Sequence, residues 1–269
     1  MTLHDRIAVI TGAGGGIGRG IAQALARRGC HLALADISEP GLAETVQLIG
    51  GPVRISCHTL DVADRAAAAA LPQAVMARHG RVDLLFNNAG VALAGTFEQI
   101  SETDFDWLFE INFGATVRLT RAFLPHLKAS DDARIVNMSS VFGLISPPGQ
   151  TAYSASKFAV RGFSNALRFE LAGSNVGVSV VHPGGVATNI AENARSPAGT
   201  TNAEMAERLE RARRLLTMPP AEAGEIIVRA VERRAPRVVV GGDAKVIALI
   251  ERLAPVSYWK ILRRRAPRR

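Results

Sequence analysis

Short apolar runs alternate along the chain with longer segments in which apolar residues recur every three or four positions. The short runs predict strands at Ile7–Thr11, His31–Asp36, Val53–Thr59, Val82–Asn87, Arg134–Met138, Val176–His182 and Arg237–Val240. The longer segments predict helices at Ile17–Arg28, Gly41–Ile49, Arg65–Arg78, Thr103–Leu127, Ala152–Ala172 and Ala221–Arg234. Several short runs are apolar at every position, which is typical of strands covered by helices on both faces. The pattern therefore predicts a single α/β domain, with a Rossmann-like, doubly wound parallel sheet of about seven strands.

We expect this Rossmann domain to cover residues 1–243. Its least regular stretch is 190–218, between the sixth strand and the last long helix, and we call it the lid segment. Residues 244–269 form a separate C-terminal segment, in which apolar positions alternate with charged ones and a basic tail follows. Pro255 divides the apolar part into two short helical pieces.

The net charge of +8 is concentrated at the end of the chain. Residues 260–269 contain Lys260, Arg263, Arg264, Arg265, Arg268 and Arg269 and no acid, which leaves the rest nearly neutral. Because no recognition module accompanies these cations, we expect no nucleic-acid partner. Asp5 and Arg6 interrupt any apolar stretch that could serve as a secretory signal, and no apolar run reaches the ~20 residues of a membrane span. The expected location is the cytoplasm.

The two cysteines, Cys30 and Cys57, both lie in apolar runs. We expect both to be buried thiols in a reducing compartment. Since no Cys/His spacing suits a zinc ion, we expect no metal site.

A glycine-rich loop follows the first predicted strand and opens the first helix. Its sequence is Thr11-Gly12-Ala13-Gly14-Gly15-Gly16-Ile17-Gly18. Glycines there let the backbone turn tightly and let a pyrophosphate approach the N–H groups at a helix N-terminus. A tight strand–helix turn without a ligand is the alternative. The position at the first strand–helix junction favours a dinucleotide site.

Asp36 ends the second predicted strand, where a carboxylate can accept hydrogen bonds from the adenosine ribose hydroxyls and repel a 2′-phosphate. Residues 29–40 contain no Lys or Arg, and the nearby cation, Arg19, lies beyond the loop on the helix. A cap for the following helix is the alternative role. We therefore predict NAD as the cofactor, with NADP less favoured.

Tyr153 and Lys157 are separated by four residues, so on a helix they share one face. A neighbouring ammonium favours the phenolate and lowers the pKa of a tyrosine toward the working range of an acid/base catalyst. Ser140, at the end of the fifth strand, could hold a substrate oxygen against this phenol. The pair alone also fits an ordinary surface helix, so other motifs have to decide.

Taken together, the motifs resemble those of the short-chain dehydrogenase/reductase family. The matches occur in family order over residues 5–241: the glycine loop, Asp61-Val62, Asn87-Asn88-Ala89-Gly90, Asn112, Ser140, Tyr153 with Lys157, and Pro183-Gly184 through Thr188. The thirteen-residue step to Tyr153 selects Ser140 over Ser139 as the family's serine.

The resemblance implies a role for each catalytic position. Tyr153 would be the acid/base and Ser140 would polarise the substrate oxygen. Lys157 would bind the nicotinamide ribose and lower the pKa of Tyr153, and Asn112 would hold a water that links Lys157 to solvent. Together with Tyr153 and Lys157, the cofactor would contact Gly12, Gly15, Gly16, Ile17, Gly18, Asp36, Asp61, Val62, Asn88, Ala89, Gly90, Pro183, Gly184, Val186 and Thr188.

The resemblance also implies an NAD-dependent oxidoreductase that interconverts an alcohol and a ketone or aldehyde. The loop 141–148 carries almost no charge, which favours an apolar substrate, although its side chains could equally pack beneath the loop. Arginines of the lid segment could meet an anionic substrate, but glutamates at helical spacing are their more usual partners. Family members form homodimers or homotetramers through the helices Thr103–Leu127 and Ala152–Ala172, and we expect the same here.

Two other interpretations remain open at this stage: an NADP-dependent carbonyl reductase of the same family, and a non-catalytic nucleotide-binding regulator. The C-terminal segment raises a further one. Tyr258, Trp259 and the arginines resemble an interfacial anchor for peripheral membrane contact, although packing against protein is the more common fate of such a stripe.

Overall fold

The computed structural model describes the backbone of residues 1–265 and the side chains of residues 1–262. Of the predicted basic tail, Arg268 and Arg269 lie outside the described residues. The side chains of Arg263, Arg264 and Arg265 lie outside them as well.

Seven parallel strands form one sheet in the order β3-β2-β1-β4-β5-β6-β7. They are β1 (Ile7–Thr11), β2 (His31–Asp36), β3 (Ile55–Thr59), β4 (Leu84–Asn87), β5 (Ala133–Met138), β6 (Val176–Pro183) and β7 (Arg237–Val240). The order reverses between β1 and β4, so two chain crossovers separate there and open a crevice at the carboxyl ends of the strands. The predicted fold class is confirmed.

The helices are α1 (Gly16–Ala26), α2 (Glu39–Ile49), α3 (Arg65–His79), α4 (Glu102–Phe109), α5 (Ala115–Lys128), α6 (Thr151–Glu170), α7 (Asn202–Leu215), α8 (Pro220–Glu232), α9 (Gly242–Leu253) and α10 (Tyr258–Arg265). A π-helical turn, Glu110–Gly114, joins α4 to α5, and a 3₁₀ turn, Val141–Gly143, follows β5.

Helices cover both faces of the sheet, and each face has its own apolar core. On one face α1 and α8 bury Ile21, Leu25 and Val228 against the strands. On the other face α3, α5 and α6 bury residues that include Val75 and Phe123. Because both strand faces are buried, the continuous apolar runs of the sequence are explained.

The structure differs from the predicted elements in two informative places. Helix α7 lies inside the lid segment, which none of the predicted helices covers. Polar or charged residues occupy most of its positions, and none of its residues is buried. A reciprocal capping box between Thr201 and Glu204 starts this helix. The prediction for Cys57 is wrong: its side chain is exposed, since β3 is an edge strand, whereas Cys30 is buried.

Candidate active site

Most of the predicted site residues follow the carboxyl ends of strands, and the parallel sheet brings these ends to one edge. The glycine loop follows β1, Asp36 ends β2, Asn88 follows β4, Ser140 follows β5 and Pro183 ends β6. This edge lies at the crevice where the strand order reverses.

The glycine loop is packed so closely that at least three of its positions require glycine. At Gly18 an added Cβ would clash with the carbonyl oxygen of Gly12. Gly12 has a φ of +66°, and an added Cβ would lie 2.8 Å from Nδ2 of Asn88 and 2.9 Å from Cα of Ala89. Gly16 has a φ of +51°, and a Cβ there would lie 3.0 Å from Cγ2 of Thr188. At Gly15, by contrast, an added Cβ would meet no atom within 4 Å, so the loop is open on that side. No side chain among the described residues caps α1 at Gly15, so its first backbone N–H groups face this opening.

Thr11 and Asn88 hold the glycine loop against the segment that follows β4. The Thr11 hydroxyl accepts hydrogen bonds from the backbone N–H groups of Asn88 and Ala89, both at 3.1 Å. Nδ2 of Asn88 donates to the carbonyl oxygens of Thr11 and Gly12, at 2.9 and 3.1 Å. The segment that begins at Asn88 therefore lies against the glycine loop, at the same edge of the sheet.

Asp36 lies next to the glycine loop with its carboxylate oriented by two backbone donors. Its oxygens accept hydrogen bonds from the N–H groups of Gly14, at 2.8 Å, and Ser38, at 2.9 Å. Arg19 is engaged elsewhere, because its guanidinium donates to Glu44 at 2.7 Å and to the Gly14 carbonyl at 2.6 Å. Thus the cation nearest the loop is already paired with a carboxylate.

Asp61 and Val62 follow β3 in the turn that leads to α3. Oδ1 of Asp61 accepts a hydrogen bond from the N–H of Ala63, and the Val62 side chain is buried. The Val62 carbonyl accepts a hydrogen bond from Arg118 on α5. These contacts fix the turn at the same edge of the sheet.

The two serines after β5 point in different directions. Ser139 donates its hydroxyl proton to the Lys157 carbonyl at 2.9 Å and thereby supports α6. Ser140 hydrogen-bonds through its side chain with Tyr153, and its hydroxyl also accepts the N–H of Phe142 at 3.1 Å. Ser140 is therefore the serine that the structure brings to the tyrosine.

Tyr153 and Lys157 lie one turn apart on α6 and share a buried environment. The Lys157 ammonium lies 5.6 Å from the centroid of the Tyr153 ring and donates to the Met138 carbonyl at 3.2 Å. Burial lowers the pKa of Lys157 from 10.5 to about 8, because the charged form loses its hydration. Burial also raises the pKa of Tyr153, and the hydrogen bond with Ser140 opposes that rise only in part. The lowering of the Tyr153 pKa by Lys157 stays a prediction.

Asn112 lies in the π-helical turn between α4 and α5. Its Oδ1 accepts the N–H of Val91 at 2.8 Å, and its Nδ2 donates to the Val91 carbonyl and to the Ser156 hydroxyl, both at 3.1 Å. A Cβ added to Gly90 would lie 3.1 Å from Oδ1 of Asn112 and 3.3 Å from Nζ of Lys157. Asn112 and Lys157 therefore border the same small space. A π turn at such a position is common at functional sites.

Pro183, Gly184, Val186 and Thr188 continue from β6 along the crevice. Asp243 fixes this segment, because its carboxylate accepts the N–H of Gly185 at 2.8 Å and leaves no room for a Cβ on Gly184. Val186 forms an isolated parallel bridge with Met218, so the lid segment leaves the body and returns to it at neighbouring points.

The lid segment is attached to the body by a contact that the sequence did not reveal, which we call the Arg195 latch. Arg195 forms a parallel bridge with Leu93. Its guanidinium lies 3.6 Å from the centroid of the Trp107 ring and 3.0 Å from Oδ1 of Asp104. The arginines of α7 behave as the sequence suggests, since Arg211 and Arg214 pair with glutamates one turn away. No signal in the sequence joins Arg195 to Trp107, because the contact depends on the path of the lid segment.

Two features are absent from residues 1–265. No helix in that range is long and apolar enough to cross a membrane. No group of three or more His, Cys, Asp or Glu side chains among the described residues could hold a metal ion.

Comparisons with known proteins agree with the motifs. A family described as short chain dehydrogenase matches residues 6–199. A Mycobacterium tuberculosis protein named "Putative oxidoreductase SadH" is 43% identical over 264 residues, which are 97% of this chain and 95% of that protein. Oxidoreductase UcpA of Escherichia coli is 41% identical over 192 residues, covering 71% and 73% of the two chains. A crystal structure of a short chain dehydrogenase/reductase from Burkholderia phymatum in complex with NAD superposes with a TM-score of 0.87, at 30% identity over 100% of this chain and 98% of that one.

Proposed function

The chain belongs to the short-chain dehydrogenase/reductase family, and from that premise we propose that it interconverts a secondary alcohol and a ketone, or an alcohol and an aldehyde, with NAD as the cofactor. As a member of this family it is an NAD(P)-dependent oxidoreductase. The observation that carries the proposed reaction is the convergence of Ser140, Tyr153 and Lys157 at one end of the sheet, beside the glycine loop.

The chain's own residues account for the proton. In the reductive direction the Tyr153 phenol donates its proton to the carbonyl oxygen of the substrate, and in the oxidative direction the phenolate accepts it. Ser140 holds that oxygen by a hydrogen bond which strengthens as negative charge develops on it. Protonated Lys157 favours the phenolate form of Tyr153. Asn112 borders the same space as Lys157 and is the residue that would hold a water for reprotonation.

The residues present fit a nicotinamide dinucleotide, which would supply or take up the hydride. The opening at Gly15 and the uncapped start of α1 suit a diphosphate. Asp61 and Val62 would flank the adenine, and the Asn88–Gly90 segment would support the cofactor from below. The segment from Pro183 through Thr188 would hold the nicotinamide end.

The preference for NAD rests on Asp36. Its carboxylate is held in place at the glycine loop, and the nearby Arg19 is paired with Glu44, so this arginine is not free to bind a 2′-phosphate. We expect Asp36→Ala combined with Ile37→Arg to shift the ratio of kcat/KM from NAD toward NADP by at least about tenfold. Arg65→Ala, at an exposed position in the first turn of α3, is a control that leaves this ratio unchanged. A wild-type protein that already prefers NADPH would contradict this assignment.

We propose an apolar substrate, but on different residues from those the sequence suggested. Val141, Leu144 and Ile145 are buried beneath their loop and belong to the core. Phe142 remains beside the site, with its ring edge-on to the Tyr153 ring at a centroid distance of 6.1 Å. On its other side Tyr153 packs into an apolar cluster that includes Leu93 and Trp107. Apart from Ser140 and Lys157, the described contacts of the Tyr153 ring are therefore apolar.

We further propose a homodimer or homotetramer assembled through α4, α5 and α6. These helices carry a row of partly exposed aromatic rings: Phe105, Phe109, Phe113 and Phe163. Sedimentation equilibrium of the wild-type protein and of Phe109→Glu tests this assembly, and a wild-type monomer would refute it.

The reaction is tested with a panel of apolar secondary alcohols and NAD, by following NADH formation. Tyr153→Phe removes the proton carrier, so turnover should fall by about 10²–10⁴-fold while the dissociation constant of NAD changes little. The chain has one other tyrosine, Tyr258, and Tyr258→Phe is the matched control that retains turnover. A Tyr153→Phe protein with half the wild-type rate would refute the role of this phenol.

A further inference from the structure

Helix α9 and the turn that follows it leave a row of apolar side chains exposed. Val246, Leu249 and Leu253 are 48%, 57% and 75% exposed, and Val256 in the connection to α10 is 93% exposed. The spacing of three and four residues places the three helical positions on one face of α9. We call these four residues the α9 stripe. A contiguous exposed stripe of this kind, unlike a single exposed leucine, is typical of a docking surface.

Positive charge borders the α9 stripe, and the nearby acids lie elsewhere. At 100° per residue Lys245 and Arg252 lie within about 60° of Leu249 around the helix, and both are exposed. Asp243 is turned to the body, where its carboxylate accepts the N–H of Gly185. Glu251 lies about 200° around the helix from Leu249, on the opposite side. Cations therefore border the apolar face along one edge, that of Lys245 and Arg252.

The whole C-terminal segment likewise carries an excess of positive charge. Residues 244–269 contain eight Lys and Arg and one acid, Glu251, so 8 − 1 = +7 of the chain's net +8 belongs to them. If two copies met through this face, their positively charged C-terminal segments would come together and repel each other. The complementary partner must therefore offer an apolar phase and negative charge side by side, as an anionic bilayer surface does.

The α9 stripe also adjoins the proposed substrate site. The Tyr258 hydroxyl of α10 accepts a hydrogen bond from the N–H of Ser146, at 3.0 Å, in the loop that follows Ser140. Tyr258 and Trp259, expected from the sequence as the membrane anchors, are both partly buried. The exposed apolar residues of α9 take that place instead.

We propose that the α9 stripe and its bordering cations dock the protein on the surface of an anionic phospholipid bilayer. Docking there would turn the loop after Ser140 toward the membrane, from which an apolar substrate could enter. The route of the substrate rests on the proposed function, whereas the docking itself does not.

Cosedimentation of the full chain with vesicles tests the docking. One set is phosphatidylcholine alone, and the other is an equal mixture of phosphatidylcholine and phosphatidylglycerol, each at low and high salt. We expect binding to the anionic vesicles, weakened by high salt because screening shortens the range of the charges. Leu249→Glu with Leu253→Glu should lower the partition coefficient at least about tenfold.

Leu48→Glu is the matched control, because Leu48 lies on α2 with a similar exposure, 52%, and far from the C-terminal segment in the fold. This variant should bind vesicles like the wild-type protein. Absence of wild-type binding to anionic vesicles, or equal binding by the stripe variant, would overturn the proposal. So would a stripe variant that dissociates a wild-type oligomer and still binds vesicles, since the stripe would then be an interface between copies. Retained NAD binding shows that each variant is folded. A wild-type protein that docks on the vesicles but turns over no alcohol would count against the proposed function alone.

Discussion

Tyr153 and Lys157 occupy one buried pocket, and burial shifts their two pKa values in opposite senses. The phenol becomes harder to ionise, and the ammonium becomes easier to deprotonate, because both charged forms lose hydration. The protonated lysine that favours the phenolate is therefore held at a cost in stability. Residues that an active site needs for its chemistry commonly lower the stability of the folded protein in this way.

Lys157→Met should make the protein more stable and inactive. The pKa of Lys157 is about 8 in the folded protein and 10.5 ordinarily, so the unfolded chain binds the proton of this ammonium more tightly. Below pH 8 the full difference in proton binding destabilises the folded state. The cost fades as the pH rises from 8 to 10.5. Allowing ~1 kcal/mol for the lost hydrogen bond to the Met138 carbonyl, we expect a gain of about 2 kcal/mol in the free energy of unfolding at pH 7.

Urea unfolding at pH 7 and at pH 10 measures this gain. Lys128→Met, at an exposed lysine on α5, is the control and should change stability by less than about 0.5 kcal/mol. A Lys157→Met protein less stable than wild type, by the same amount at both pH values, would contradict the argument.

At the scale of elements, the lid segment is held by few contacts. The Arg195 latch combines a short backbone bridge to Leu93, an ion pair with half-buried Asp104 and a cation–π contact with Trp107. Helix α7, which follows it, buries none of its residues. The attachment of the lid segment should therefore depend strongly on this one arginine.

Arg195→Ala should loosen the lid segment without unfolding the domain. Loss of the cation–π contact and the ion pair removes about 1–2 kcal/mol, so local opening becomes about tenfold more frequent. Hydrogen exchange of residues 195–218 measures the opening, with the melting temperature as a check on the rest of the molecule. Arg211→Ala, which removes only an exposed ion pair with Glu207, should leave the exchange rates nearly unchanged. Exchange rates equal in the two variants would show that other contacts hold the lid segment.

At the scale of the whole molecule, two buried histidines make the protein sensitive to acid. His79 ends α3 and His182 lies in β6, and burial is the main cause that lowers the pKa of each from 6.5 to about 4. His182 is fixed by a contact of 3.0 Å between its Nδ1 and the Ser140 carbonyl. Neither histidine has an acidic neighbour among the causes of its shift, and at His182 the hydrogen bond with the Ser140 carbonyl favours the charged form less than burial disfavours it.

Stability should fall as the pH drops from 6.5 toward 4. In this range the unfolded chain binds protons at both histidines and the folded chain does not. Above pH 6.5 both histidines are neutral in both states, so they do not change the free energy of unfolding with pH. The loss at pH 5 should reach at most about 4 kcal/mol for the two together. Below pH 4 the ion-paired carboxyl of Glu225, whose pKa the Arg28 hydrogen bond lowers to about 2, adds to the loss.

Urea unfolding of the wild-type protein and of His79→Gln, measured at pH 7 and pH 5, checks this dependence. The variant should lose about half as much stability between the two pH values. His4→Gln, at an exposed histidine, is the control that keeps the wild-type dependence. A wild-type protein equally stable at both pH values would show that the folded state accommodates the protons.

Local pattern was sufficient to predict the sheet and most of its helices. β1, β2 and β7 lie where the apolar runs predict them. At β1, which is buried at every position, the reason is that a strand covered on both faces has to be apolar throughout. The glycine loop and Asp36 could also be assigned from position alone, since parallel strands bring their carboxyl ends to one edge. The resemblance to a family supplied the roles of Asn112, Ser140, Tyr153 and Lys157, and those roles stay proposals.

Contacts between distant segments could not be predicted in this way. The Arg195 latch joins residues that no periodicity connects, α7 buries none of its residues, and Cys57 is exposed because its strand lies at the sheet edge. The pKa values of Lys157 and His182 depend on burial, which is a property of the packed molecule. Sequence by itself determined which segments form the sheet and where a dinucleotide could bind, because these follow from local periodicity and from the direction of the strands. Only the tertiary structure decided which polar groups lose their water and which apolar residues of the C-terminal segment stay exposed, because burial depends on what the rest of the chain places against each side chain.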